Sequence, residues 1–124
     1  MKTISKARAG VPTIISRHPA AIEFLCRELA IGADEKVCVL SGIVKAGDFP
    51  PDEPIYGNVP LSLAHYACEV VAIEFRGAPP RGVEYSLADM DAAGAYLVRY
   101  QVVWLGPYRG GSAEGFVGEL YDHE

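Results

Sequence analysis

Three short, continuous apolar runs alternate with segments of helical periodicity, and this alternation constrains the fold more than any other feature. The runs are PTIIS (12–16), KVCVLSG (36–42) and VVAIEF (70–75), and a longer run, AYLVRYQVVWL, begins at 95. Their length and content are typical of strands that are covered on both faces. The order β-α-β-α-β-α-β, with connections of helical length, predicts a small α/β sandwich with a mainly parallel sheet of four or five strands.

The sequence marks where two of the helices begin. Pro19 suits the first turn of the first helix, because its missing N–H would have no partner there. Ser86 and Asp89 have the spacing of a capping box for the third helix. On the first helix, Glu23 and Arg27 are spaced for a solvated ion pair.

The length of 124 residues fits a single domain spanning 1–124. We expect a flexible leader at 1–11, a core over 12–105 and a tail without a readable pattern at 106–124. The stretch 43–60 holds four prolines and two glycines, so it is expected to be mostly loop.

Composition excludes several classes of protein. The net charge of -5 argues against binding to long nucleic acids, which requires an extended basic face. Apolar runs are far too short to span a membrane and no signal peptide is recognisable, so we expect a soluble, cytoplasmic protein. Cys26, Cys38 and Cys68 show no CxxC spacing and are expected to be reduced and buried. Because no ligand set has metal-binding spacing, no metal or other cofactor is expected.

Three loops that lead from a strand into a helix carry the candidate functional residues. They contain the sequences SRHP, YGNVP and PPRGVEYS. In an open parallel sheet, such loops lie at the carboxyl ends of the strands, which is where ligands bind. We therefore expect the three loops to open on one edge of the sheet.

The first loop contains Ser16, Arg17 and His18 at the start of a helix. Free N–H groups and the helix dipole favour a phosphate there, and the Arg17 guanidinium can neutralise it. His18 can exchange a proton near neutral pH. The alternative is structural, with Ser16 or His18 capping the helix and Arg17 solvated.

The other two loops contribute candidate ligand-binding residues. The amide of Asn58 can contact a phosphate or a base edge, although Gly-Asn also marks plain turns. Arg81 and Gly82 follow two prolines, and a small residue beside an arginine suits close contact with an anion. Glu84 can anchor Arg81 or accept a ribose hydroxyl. A simply solvated Arg81 is the alternative.

Four segments together resemble a known family. They are ISRHPAAIEFL, GNVPLSLAHYA, RGVEYSLADMDAAGAYL and VRYQV, which occur in this order between about 12 and 103. They are similar to the small CRISPR-associated ring nucleases of type III systems, which are compact Rossmann-like relatives of the cyclic-oligoadenylate-sensing domains. The loop FPPDEPIYG and the chain after 106 depart from this resemblance.

The resemblance implies a Rossmann-like three-layer sandwich and a homodimer whose two-fold axis passes through a bound cyclic tetra-adenylate. It further implies metal-independent opening of the ring to linear oligoadenylates, which ends the antiviral signal. The matching positions are Ser16, Arg17, His18, Asn58, Arg81 and Glu84.

The residue chemistry is compatible with this function. The neighbouring ribose 2′-OH can attack the phosphate, and His18 can serve as general acid or general base. Two rivals remain: a protein that binds cyclic oligoadenylate without cleaving it, and an assembly module that uses its last strand and tail. An unrelated phosphatase-like or nucleotide-binding enzyme ranks last, because no nucleophile or metal set supports it.

Overall fold

The computed structural model describes residues 1–79 and 84–108, and its centre is a six-stranded sheet. The strands are β1 (Lys2–Ile4), β2 (Thr13–Ile15), β3 (Lys36–Leu40), β4 (Ile55–Gly57), β5 (Val70–Phe75) and β6 (Ala95–Tyr100). Their spatial order is β1-β3-β2-β4-β5-β6, and only the β5–β6 pair is antiparallel. The prediction of an α/β fold with a mainly parallel sheet is confirmed.

The sheet has six strands rather than four or five, because short strands lie in segments assigned to a leader and to a loop. β1 pairs with β3 along the edge of the sheet, so part of the segment 1–11 is ordered by backbone pairing. β4 lies between β2 and β5, within the proline-rich stretch 43–60. Each of these strands has only three residues and depends on pairing with its neighbours in the sheet. A local sequence pattern does not indicate such pairing.

The helices are α1 (Pro19–Glu28), α2 (Leu61–Ala64) and α3 (Leu87–Ala92), and a 3-10 turn covers Ala46–Asp48. α3 begins at the predicted capping box: the Asp89 N–H donates to Ser86 Oγ at 3.1 Å, and the Ser86 N–H donates to Asp89 Oδ2 at 2.9 Å. α2 is a single turn and ends before Cys68. Cys68 is consequently exposed, contrary to expectation, whereas Cys26 and Cys38 are buried.

Apolar clusters lie on both faces of the sheet, because successive side chains of a strand alternate. Ile14 of β2 packs in a cluster with Leu25 of α1, and its neighbour Ile15 packs in another with Phe49 and Ala64. Both isoleucines are buried. The second face is covered by one helical turn and loop residues, so the full three-layer sandwich stays a prediction.

α1 and α3 pack against each other on one face of the sheet. Phe24 of α1 and Met90 of α3 share a buried cluster. Beside it, Arg27 donates two hydrogen bonds to Asp91, at 2.8 and 2.7 Å. The expected partner Glu23 is thus replaced by a carboxylate on another helix. This packing fixes the segment before α3 relative to α1.

The strand order reverses between β2 and β4. The connection from β2 through α1 leads to β3 on one side, and the connection from β4 through α2 leads to β5 on the other. Neighbouring strands whose connections diverge leave a crevice at their carboxyl ends, where ligands bind in α/β proteins. Within 1–79 and 84–108, no helix is both long enough and apolar enough to cross a membrane.

Candidate functional site

A cavity of about 450 Å³ opens at the carboxyl ends of β2 and β4. We call it the larger cavity, to distinguish it from a smaller cavity that adjoins it. Its polar side chains include Ser16, Arg17, His18 and Asn58, and its apolar wall includes Leu63 of α2. The first two of the three loops singled out in the sequence therefore meet at the point where the strand order reverses. This volume lies within the range of ~300–1,000 Å³ that is typical of small-molecule sites.

The SRHP segment makes a tight transition from β2 into α1. The Ser16 N–H continues the sheet by donating to the Leu40 carbonyl at 3.2 Å, and Ser16 Oγ accepts from the His18 N–H at 3.1 Å. His18 occupies the N-cap position of α1, but its side chain makes no capping hydrogen bond. Because Pro19 follows and has no N–H, one donor fewer needs an acceptor at the start of the helix. The imidazole is therefore free for other contacts, and a capping role for the His18 side chain is excluded.

The second loop is held directly against the first. Gly57 adopts a φ of +112°, and the N–H of Asn58 donates to the Ile15 carbonyl at 3.0 Å. A Cβ atom at Gly57 would lie 2.3 Å from that carbonyl oxygen. Only glycine permits this approach. It brings the exposed side chain of Asn58 beside Ser16 and His18.

Glu84 contacts His18 across 66 positions of the sequence. The His18 Nδ1 atom lies 3.1 Å from Glu84 Oε1, and the side chains are 53% and 64% exposed. With the carboxylate accepting from Nδ1–H, the nitrogen left for a ligand is Nε2. The sequence predicted Glu84 as a site residue but not this partner, because the contact depends on how α3 packs against α1.

Arg17 lies at the mouth of the larger cavity with an exposed side chain. Among the residues that the structure describes, no carboxylate forms a salt bridge with it. Its guanidinium is available to an anion. Arg81 and Gly82, the other predicted anion-binding residues, lie outside the described residues, so their roles stay predictions.

A second cavity of about 260 Å³, the smaller cavity, adjoins the first. Ser16, His18 and Asn58 line both cavities. The smaller one extends between α1, β5 and α3, where Phe75 and Tyr85 contribute aromatic rings. The Tyr85 ring lies 5.9 Å from the His18 ring, with 29° between their planes. The sequence analysis did not identify Tyr85, although it directly follows Glu84.

An exposed apolar patch lies on the other side of α2 from the larger cavity. It consists of Leu61, Val103, Trp104 and Leu105, which are 64–77% exposed. Trp104 stacks on the half-buried His65, with ring centroids 6.2 Å apart. Ser62 of α2 lines both the larger cavity and the groove beside the patch. The patch therefore adjoins the candidate site through one helical turn.

The described residues of the site do not form a metal-binding cluster. Over the described ranges 1–79 and 84–108, no three or more His, Cys, Asp or Glu side chains are grouped so that they could hold a metal ion. The groups that meet at the site are an imidazole paired with a carboxylate, a guanidinium, a hydroxyl and an amide. These groups can bind an anion, hold hydrogen bonds and move a proton.

A sequence model of the family described as "Putative CRISPR-associated protein (Cas_VVA1548)" matches residues 13–103, well over half of the chain. The match includes both strands of the crevice and the described site residues. No curated protein and no solved structure shows a significant match to the chain.

Proposed function

The chain belongs to the Cas_VVA1548 family of CRISPR-associated proteins, and from its site we propose that it is a metal-independent ring nuclease. It would bind cyclic tetra-adenylate in the cytoplasm and open it to linear oligoadenylates, which switches off type III CRISPR signalling. The observation that carries the proposal is the His18–Glu84 pair, 3.1 Å apart, at the mouth of a cavity at the strand-order reversal.

Phosphate binding is supported by the local donors rather than by the overall charge, which is -5. The first N–H groups of α1 have no partners within the helix, and the helix dipole favours a negative charge there. The Ser16 hydroxyl, which already accepts from the His18 N–H, still has its own proton to donate. Arg17 adds a forked cationic donor at the cavity mouth.

The reaction we propose uses a ribose hydroxyl rather than water as the nucleophile, and it needs no metal. The 2′-oxygen of one ribose forms a bond to the adjacent phosphorus, and the bond from phosphorus to the 5′-oxygen breaks. A base takes the 2′-OH proton and an acid protonates the leaving 5′-oxygen, which leaves a 2′,3′-cyclic phosphate and a 5′-hydroxyl. His18 serves one of these two proton transfers through Nε2, a contribution of typically ~10²–10⁴-fold, and solvent water serves the other. Arg17 and Ser16 stabilise the charge on the non-bridging oxygens.

Glu84 acts through His18 in this mechanism and is a positioning residue. By accepting from Nδ1–H it selects the tautomer in which Nε2 faces the ligand. The pair is more than half exposed, so solvent screens it. Slow turnover would suit a signal that must last long enough to act.

We further propose that the protein acts as a homodimer, with the two-fold axis through the ring. The apolar patch of Leu61, Val103, Trp104 and Leu105 supports this, because α2 connects it to the larger cavity. A second copy seated there would bring two sites together, and a ring of four nucleotides matches that symmetry.

The test is incubation of radiolabelled cyclic tetra-adenylate with the protein in EDTA, with products resolved over time. Linear products from the wild type are expected, with much less from His18→Ala and Arg17→Ala. Glu23→Gln, a change on the exposed face of α1 away from both cavities, serves as the matched control.

Each alternative gives a different result in this assay. An intact ring that is retained by the protein would indicate a binding protein that lowers the concentration of the free signal. A ring that is neither cleaved nor bound would contradict the proposal and favour an assembly module.

A further inference from the structure

The smaller cavity shares Ser16, His18 and Asn58 with the larger one, so these residues stand between two compartments. A phosphodiester joins two nucleosides. If the phosphate lies at the shared residues, as the proposed function requires, the flanking nucleosides must extend to either side. The smaller cavity, of about 260 Å³, is the compartment on the α3 side.

The lining of the smaller cavity suits a neutral planar group. The described residues that form it include no Asp, Glu, Lys or Arg. Apart from the shared residues Ser16, His18 and Asn58, its walls are apolar or aromatic. They include Ile73, Phe75, Tyr85 and the fully buried Met90. A phosphate would lose its hydration there without gaining a cation, whereas a heterocyclic base would bury apolar surface.

Two aromatic rings and one amide make the smaller cavity suitable for binding a nucleic-acid base. Tyr85 is held edge-on by Phe75, with ring centroids 6.3 Å apart and 74° between planes. Tyr85 is half-buried, so part of its ring remains available. Asn58, whose side chain carries both a donor and an acceptor, can pair with the edge of a base. Base stacking on an aromatic ring together with an amide contact is a recurrent mode of recognition of unpaired bases.

We propose that the smaller cavity is an adenine subsite, in which Tyr85 stacks on the base and Asn58 contacts its edge. This inference rests on the proposed function and deepens it. The base belongs to one nucleotide flanking the cleaved phosphate, and the larger cavity receives the other. Each protomer then handles two nucleotides, and two protomers account for a ring of four.

The test measures binding separately from cleavage. The probe is cyclic tetra-adenylate with 2′-O-methyl groups, which lacks the nucleophile, and one adenine is replaced by fluorescent 2-aminopurine. Tyr85→Leu removes the stacking ring but keeps an apolar side chain, and Tyr85→Phe keeps the ring. The matched control is Tyr66→Leu, which changes an exposed tyrosine outside both cavities.

We expect Tyr85→Leu to raise Kd ~10-fold, about the loss of one base–aromatic stack, and to relieve quenching of the 2-aminopurine. Tyr85→Phe and Tyr66→Leu should bind like the wild type. Because Tyr85→Leu can also disturb packing, Asn58→Ala provides a second measurement. We expect this variant to bind cyclic tetra-adenylate with less preference over cyclic tetra-uridylate.

The contrary outcomes are distinguishable. If Tyr85→Leu and Asn58→Ala bind cyclic tetra-adenylate as tightly as the wild type, the subsite proposal is overturned and the ring-nuclease proposal stays intact. If the wild type does not bind the ring, the proposed function fails, and adenosine 5′-monophosphate is titrated instead. Binding of that nucleotide that depends on Tyr85 would preserve the subsite, and no such binding would remove it.

Discussion

Gly57 lies so close to Ile15 that a Cβ atom at Gly57 would come within 2.3 Å of the Ile15 carbonyl oxygen. The same carbonyl accepts from the Asn58 N–H, so this contact joins the ends of β2 and β4 at the site. Since the φ of Gly57 is +112°, a side chain there is strained in addition to the clash. This backbone contact therefore determines where the side chain of Asn58 lies relative to Ser16.

Gly57→Ala is expected to lower the free energy of unfolding by at least ~2 kcal/mol, because it adds backbone strain to a clash with main chain. The melting temperature should fall by roughly 5 °C or more for a domain of this size. Gly47→Ala is the control, since its Cβ would meet nothing within 4 Å. Equal melting temperatures for the two variants would contradict the close approach.

The end of α1 offers a stabilising change. The Ile31 N–H donates to the Cys26 carbonyl and the Ala30 N–H to the Arg27 carbonyl, a Schellman motif with alanine at the left-handed position. Ala30 has a φ of +55°, and glycine would avoid the cost of its Cβ.

Ala30→Gly should therefore raise the free energy of unfolding by about 1 kcal/mol, measured by urea denaturation. Glu23→Gly, at an exposed interior position of α1, should lower it by roughly 0.5–1 kcal/mol. A destabilising effect of Ala30→Gly would argue against the left-handed conformation.

Acid stability depends on the contact between α1 and α3. The hydrogen bond from Arg27 lowers the pKa of Asp91 below its ordinary value of 3.8. The stabilisation is therefore fully present above that value and is lost as the pH falls through the lower pKa of the folded state. Because the pair is exposed, the effect is small and is screened by salt.

Asp91→Asn is expected to have a lower melting temperature than the wild type at neutral pH and low salt. The difference should close at 1 M NaCl and as the pH falls well below 3.8. Melting curves across this pH range measure it, with Glu23→Gln as the matched change on α1. A gap that is independent of pH would mean that packing, not charge, accounts for the loss.

The thiols should differ in reactivity. Cys68 is exposed, whereas burial raises the pKa of both Cys26 and Cys38. Since the thiolate is the reactive form, Ellman's reagent should label one thiol per chain quickly and the other two only on unfolding. Cys68→Ser should abolish the fast phase and Cys38→Ser should preserve it. Two fast thiols in the native protein would contradict the burial.

The sequence predicted those parts of the fold that depend on local pattern. The apolar runs of β2, β3 and β5 and the capping box at Ser86 are local signals, and the structure contains them. The three-residue strands β1 and β4 depend on pairing partners elsewhere in the chain, and no local pattern marks them.

The candidate site likewise has one part that could be predicted from the sequence and one part that depends on tertiary packing. The alternation of strands and helices along the chain was enough to place the loops containing Ser16 and Asn58 at one edge of the sheet, although β4, the strand that ends before Asn58, was not predicted. The contact of Glu84 with His18 could not, because it follows from the packing of α3 on α1, 66 positions away in the sequence. The same packing places Tyr85 at the smaller cavity, and its aromatic character alone gave no reason to select it.

The most direct test of the His18–Glu84 account is the single-turnover rate of ring opening in EDTA for four proteins: the wild type, His18→Ala, Glu84→Gln and the double variant. We predict that His18→Ala slows opening by ~10²-fold or more, that Glu84→Gln slows it less, and that the double variant is no slower than His18→Ala. Such non-additivity is expected if Glu84 acts through His18. An unchanged rate in His18→Ala, or losses that add in the double variant, would contradict the account.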